Sequence, residues 1–281
     1  MRDGRAGIDA ALVRRLVRAQ LPQWGDLPLT PVEVDGWDNR TYRLGDELTV
    51  RLPTASGYAA AVQKEHRWLP VLAPRLPLPV PVPVALGRPT EEYPHPWSVR
   101  RWLPGDTARP DLLDDPVRFA LDVAGFVRAL WAVDAHDGPV AGAHSFFRGA
   151  PPVHYDAETR RALDALDGRV DRRRATAVWE DALAAPYGGP GVWFHGDIAP
   201  GNLLVRDGRL AAVIDFGTSG VGDPACDLVI AWTFLTGRSR AAFRDATAQD
   251  AGTWARARGW ALWKALITED LRVVAEVLAG A

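Results

Sequence analysis

The sequence predicts an α+β fold in two lobes: a small first lobe built on an antiparallel β-sheet with helices, and a larger, mostly helical second lobe. Three observations predict it. Short strand-like runs separated by turn dipeptides crowd the first hundred residues. Helical periodicity dominates from about residue 110 onward, and a Pro104-Gly105 turn separates the two patterns. At 281 residues the chain is long enough to bury a core in each part. The boundary falls between lobes 1–103 and 104–281.

The elements follow in order. Residues 8–21, IDAALVRRLVRAQL, space their apolar side chains as an amphipathic helix, which Pro22, Pro28 and Pro31 end. The next stretch, 32–53, reads as three short strands with turns at Asp35-Gly36 and Gly45-Asp46. YAAAVQKEHRWLPVLA is helical again. In 74–89 valine and leucine alternate with proline, which predicts an extended path into an edge strand, where missing N–H donors are tolerated. PWSVRRWLPGD reads as a strand ending at the Pro-Gly turn. Residues 110–190 are mostly helical, the run LAAVIDFG interrupts the helices, and they resume from about 224.

Bulk properties exclude several functions. Hydrophobic content of 47% with 24% charged residues is that of a soluble globular chain. A net charge of −2 gives no general attraction to nucleic acid or to an anionic membrane. Cys226 is the only cysteine, so neither an intramolecular disulfide nor a thiolate metal cluster can form. The N-terminal stretch lacks an apolar run, and no run of membrane-spanning length exists, so a cytoplasmic location is expected. Lysine is nearly absent, only Lys64 and Lys264 against abundant arginine, which reads as a coding bias.

The chemistry concentrates in WFHGDIAPGNLLV, 193–205, where His195, Asp197 and Asn202 interrupt an apolar frame. Polar groups in such a frame need partners or a task. Asp207-Gly208 is a two-residue hairpin signal. That turn pairs Val205 with Leu210 and Leu204 with Ala211, sets Asn202 opposite Val213, and brings Asp215 near Asn202. A carboxylate and an amide oxygen that converge suit Mg²⁺, with phosphate and water completing the shell. Asp197, on the loop before them, is placed to accept a hydroxyl proton.

HGDIAPGN, IDFG and GDPACDL together resemble the catalytic and metal-binding segments of the aminoglycoside phosphotransferase family, which shares the protein-kinase fold. The kinase pattern H-R-D-x-x-x-x-N is matched in spacing, with Gly196 in place of the arginine, and Asp215-Phe216-Gly217 is intact. The resemblance implies that Asp197 is the catalytic base and that Asn202 and Asp215 hold Mg²⁺ on the phosphates of ATP or GTP. His195 shapes the loop, and Asp227 braces it. In the first lobe the family needs a strand cation tied to a helix acid, which implies Arg51 paired with Glu65. No Gly-rich loop is present, so Asn39 and Arg40 are the candidates to cover the phosphates. The backbone of Arg100, Arg101 and Trp102 would bind the base at the hinge between the lobes.

The resemblance also implies a small-molecule hydroxyl acceptor, an aminoglycoside antibiotic first, with a macrolide, another antibiotic or a metabolite as alternatives. A nucleotide-binding pseudokinase scaffold is the reading from another class. A polyamine acceptor calls for carboxylates. The candidates are Asp111, Asp114 and Asp115; Asp134 and Asp137; Asp156 and Glu158; Glu180 and Asp181; and, in the last helices, Glu269 and Asp270. Of these, Glu269 and Asp270 are preferred. Most of the twelve tryptophans, Trp263 among them, are expected in the core.

Overall fold

Asp9 opens the first helix, α1 (Ala10–Gln20), by accepting the Leu12 N–H at 2.7 Å. In the computed structural model, which describes residues 7–32, 36 and 38–280, the chain divides into two compact units. The first comprises Met1–Pro74 and Pro79–Pro104, the second Arg75–Leu78 and Gly105–Ala281.

The first unit is a five-stranded antiparallel sheet with a helix on each face. It contains β1 (Leu29–Pro31), β2 (Asn39–Leu44), β3 (Leu48–Pro53), α2 (Ser56–Leu72), β4 (Pro83–Gly87) and β5 (Trp97–Arg101), with strand order β1-β2-β3-β5-β4. Side chains alternate across a strand. Val50, Leu52, Trp97 and Val99 therefore share one face and bury themselves against Leu12, Val13, Leu16 and Val17 of α1. Thr49, Arg51, Ser98 and Arg100 take the opposite face, where Arg100 meets Glu65 of α2. The proline-rich segment ends in β4 at the sheet edge, as its alternation predicts. The Gly45-Asp46 turn joins β2 to β3, with Gly45 at φ 60°. The expected turn at Asp35-Gly36 involves Asp35, which lies outside the described residues.

The second unit is mostly helical, with small sheets that carry its loops. Its elements are β6 (Asp106–Thr107), α3 (Pro116–Trp131), α4 (Asp156–Ala165), α5 (Arg172–Leu183), β7 (Val192–Phe194), β8 (Leu203–Arg206), β9 (Arg209–Val213), β10 (Gly220–Gly222), α6 (Ile230–Thr233), α7 (Gly237–Thr247), α8 (Ala251–Ile267) and α9 (Leu271–Ala279). The hairpin β8–β9 turns at Asp207-Gly208, both at positive φ, as a two-residue loop requires. Val205 pairs with Leu210 as expected, but a bulge then moves Leu204 to Ala212 and Leu203 to Val213. One inserted residue shifts the rest of the register. Asn202 therefore lies opposite Ile214, whose N–H reaches its carbonyl at 2.9 Å, rather than opposite Val213. The pair β7–β10 frames the polar loop on both sides in sequence. Among the described residues no helix is long and apolar enough to cross a membrane.

Candidate active site

Strand β7 delivers the chain into the polar loop, and buried Asp227 holds the loop from behind. Its carboxylate accepts the backbone N–H of His195 at 3.1 Å and that of Gly196 at 2.7 Å. Trp131 Nε1 of α3 donates to its other oxygen at 3.1 Å. Burial pushes the Asp227 carboxyl above its ordinary range, against the pull of His195 and of these donors. His195 is fully buried and spans the loop: Nε2 lies 3.0 Å from the Ile214 carbonyl, and Nδ1 accepts the Asp197 N–H at 3.2 Å. Those partners assign the proton to Nε2. Both ring nitrogens are thus occupied by backbone partners.

The loop turns at Gly196, where φ is 85° and a Cβ would stand 2.9 Å from the Thr218 carbonyl and 3.1 Å from Arg148 Cβ. An arginine cannot occupy that point, which accounts for the glycine in the kinase-like pattern. Asp197 follows with both carboxylate oxygens engaged. Asn202 Nδ2 donates to Oδ2 at 2.9 Å and to the Asp197 carbonyl at 2.9 Å. Lys264 Nζ of α8 donates to Oδ1 at 2.6 Å. Burial alone would raise the Asp197 carboxyl, but the Lys264 ammonium, with His195 and Arg148, outweighs it and holds the group below its usual range.

With its amide nitrogen fixed on Asp197, Asn202 keeps its Oδ1 for another partner. Asp215 stands one residue beyond the Ile214–Asn202 hydrogen bond in a left-handed conformation, φ 65°. Such a backbone costs a non-glycine residue about 1–3 kcal/mol and recurs at functional sites. Among the described residues no group of three or more His, Cys, Asp or Glu could hold a metal alone. One amide and one carboxylate oxygen instead fit a hard cation that takes its remaining ligands from phosphate and water.

Beside Asp197 a shallow recess, open to solvent, is lined by Gly196, Ile198, Arg148, Trp260, Trp263 and Lys264 among others. Arg148 reaches it from a loop in which Phe146 and Phe147 are both left-handed, φ 49° and 54°. Its guanidinium lies 4.4 Å from the Trp263 ring centroid and 5.5 Å from that of Trp260, and its buried Nη1 has no hydrogen-bond partner among the described residues. Tyr155 stacks on Trp263 at 4.3 Å, and Trp263 Nε1 donates to Glu158 at 2.7 Å. Trp263 is thus both buried, as expected, and part of the recess wall.

The preferred acids are elsewhere. Glu269 pairs with Arg169 at 2.8 Å, and Asp270 caps α9 through the Val273 N–H. Neither lines the recess. Helix formation explains Asp270: its side chain satisfies a first-turn donor. Asp156 and Glu180 are held by Arg160, and Asp115 caps α3.

In the first unit the expected pairing needs correction. Glu65 is bound through both oxygens by the Arg100 fork, at 3.0 and 2.6 Å, with both side chains almost fully buried. Arg51 lies on the neighbouring strand opposite Ser98. The cause is the sheet order: β5 sits beside β3, so Arg51 and Arg100 share one face, and the bidentate geometry is realised by Arg100. Arg100 therefore contributes its side chain to the core of the unit, while its backbone lies between β3 and β4. The Trp102 N–H is likewise engaged, by the Glu47 carbonyl at 2.7 Å, and its ring carries Arg43 at 4.6 Å. Arg101 ends β5, exposed, and Asn39 and Arg40 open β2 opposite Pro53 and Leu52.

Sequence reasoning missed Lys264, Arg148, Trp260 and the ion pair of Asp223 with Arg256, at 2.6 Å and almost fully buried. A signal for most of them existed. Arg256, Trp260, Trp263 and Lys264 are spaced 0, 4, 7 and 8 along α8, which is one helical face.

A family model described as the phosphotransferase enzyme family matches residues 29–260. Among solved structures, the GDP complex of wild-type aminoglycoside 2'-phosphotransferase-IIIa is 18% identical with a TM-score of 0.75, over 97% of this chain and 99% of that one. The ADP-bound aminoglycoside phosphotransferase APH(2'')-Ib is 16% identical with a TM-score of 0.61, over 96% and 97%. A macrolide 2'-phosphotransferase apoenzyme from Brachybacterium faecium is 24% identical with a TM-score of 0.60, over 96% and 98%. These likenesses establish the fold. No curated protein matches the chain significantly.

Proposed function

The chain belongs to the phosphotransferase enzyme family, and on that premise we propose that it transfers the γ-phosphoryl group of ATP or GTP to a hydroxyl of an antibiotic, an aminoglycoside in the first instance. The observation that carries this is Asp197, a carboxylate kept ionised by Lys264 and aimed by Asn202 at the edge of an open recess. Asp197 accepts the proton of the acceptor hydroxyl and orients its oxygen toward phosphorus. Asn202 Oδ1 and Asp215 would hold Mg²⁺, which when bound neutralises phosphate charge. Arg51 is the proposed phosphate contact of the first unit. His195 and Asp227 keep the loop in shape through the hydrogen bonds already described.

The acceptor class rests on the names of the similar structures, one of which is a kanamycin complex. A macrolide is the second reading. The observation favouring it is the recess wall itself, aromatic through Trp260 and Trp263 and, among the described residues, without a carboxylate other than Asp197.

The test is a phosphorylation screen of aminoglycosides, macrolides and small hydroxylated metabolites with MgATP and MgGTP. A phosphorylated antibiotic is expected, with turnover reduced about 10²- to 10⁴-fold in Asp197→Ala. Unchanged turnover in that variant removes the mechanism. Transfer to metabolites alone removes the antibiotic assignment and leaves the kinase.

A further inference from the structure

Lys264 is one of two lysines in a chain whose other 31 basic residues of the Lys+Arg total are arginines. It projects from α8 onto the side-chain oxygen of Asp197 that Asn202 leaves open, Nζ to Oδ1 2.6 Å, and both side chains are about one-third exposed, at 33% and 34%. The helix beneath it is anchored by the buried Arg256–Asp223 pair and by Trp260 and Trp263. A general base must come within about 3 Å of the hydroxyl it deprotonates, so an ammonium on its carboxylate is also a close neighbour of the reacting oxygen.

We propose that Lys264 is a positioning residue for the transfer, the counter-ion that fixes the Asp197 carboxylate before proton transfer and is released from it afterward to offset the charge arriving on the acceptor. This rests on the phosphotransferase reading. In the step, the acceptor O–H bond breaks and its proton passes to Asp197. The acceptor oxygen bonds the γ-phosphorus while the bond from phosphorus to the nucleoside diphosphate breaks, and the diphosphate leaves with that electron pair. Protonated Asp197 is neutral, so its bond to Lys264 weakens as the phosphoryl charge enters the recess. A lysine suits this exchange, because a compact point charge with rotating donors can change partners, whereas an arginine fork is fixed in plane.

The cations facing Asp197 are Arg148 from the loop before α4 and Lys264 from α8, and the His195 ring lies on its own loop with Nδ1 accepting the Asp197 N–H. Lys264 Nζ donates to Asp197 Oδ1 at 2.6 Å, so its removal takes from that oxygen the cation that holds it.

The experiment compares wild type, Lys264→Met, Lys264→Gln, Lys264→Arg, Asp197→Asn and Asp197→Asn/Lys264→Met. Turnover of MgATP and MgGTP is followed with water as phosphoryl acceptor, and thermal unfolding checks the fold. Lys264→Met and Lys264→Gln are expected to lose about 10²-fold in kcat, with nucleotide KM little changed. Lys264→Arg restores part of that kcat. The double variant is no slower than Asp197→Asn. Unreduced kcat in both neutral variants, no recovery of kcat in Lys264→Arg over them, or losses that multiply in the double variant, overturns the role of Lys264. If Asp197→Asn itself turns over normally, the phosphotransferase mechanism fails instead.

Discussion

Gly196 holds φ at 85° with the Thr218 carbonyl where a Cβ would go, so its hydrogen is a structural requirement. An alanine there meets left-handed strain of about 1–2 kcal/mol and pushes on Thr218, whose hydroxyl donates to the His195 carbonyl at 2.9 Å. Gly196→Ala is therefore expected to lower the thermal midpoint modestly and turnover severely, because the displaced loop carries Asp197. Full turnover in a correctly folded Gly196→Ala protein would show that the loop tolerates relocation. The residue scale also shows where the sequence was readable. Asp197, Asn202, Asp215 and Asp227 announce themselves by spacing, and Asp227 accepts the backbone N–H groups of His195 and Gly196. Lys264 did not announce itself, since a lone lysine in a helix has no local signature and its partner lies 67 positions away.

Helix α8 carries most of what the sequence concealed. Its face of Arg256, Trp260, Trp263 and Lys264 joins a buried ion pair at one end to Asp197 at the other. The helical period was visible, but which side the face would meet depends on tertiary packing, as in the close approach of Gly259 to Ala182 on α5. The same limit explains Glu65. Its place on α2 is legible, but Arg51 and Arg100 present the same sheet face, and only the strand order decides between them. The hairpin β8–β9 was legible from Asp207-Gly208, and its bulge was not, since a one-residue insertion leaves the turn sequence unchanged. Arg256→Met leaves Asp223 as an uncompensated buried charge, which costs about 3–5 kcal/mol. Chemical denaturation should register that loss, and turnover should fall with it, because Lys264 rides on the same helix. Turnover unchanged under native conditions would mean that Lys264 keeps its place without the anchor.

Among the described residues two arginine–carboxylate pairs are buried and bidentate, one in each compact unit: Arg100 with Glu65, and Arg256 with Asp223. Each pair stands among partners of its own unit. Ser98 accepts from Arg100 at 3.0 Å, whereas Arg256 also donates to the Ala185 carbonyl and to Thr253, both at 3.1 Å. Buried pairs of this kind are weak evidence for stability when replaced whole by apolar side chains, but strongly destabilising when halved. Substitutions that share no partner add, within about 0.5 kcal/mol. Glu65→Gln should therefore cost about 3–5 kcal/mol by the same route as Arg256→Met, and the double variant should lose the sum. Denaturation of wild type, both single variants and the double variant measures it. A coupling energy well above that margin would show that the two pairs stabilise a common structure. Additivity would show that each anchors its own core, Glu65 and Arg100 the sheet that carries Arg51, and Asp223 and Arg256 the helix that carries Lys264.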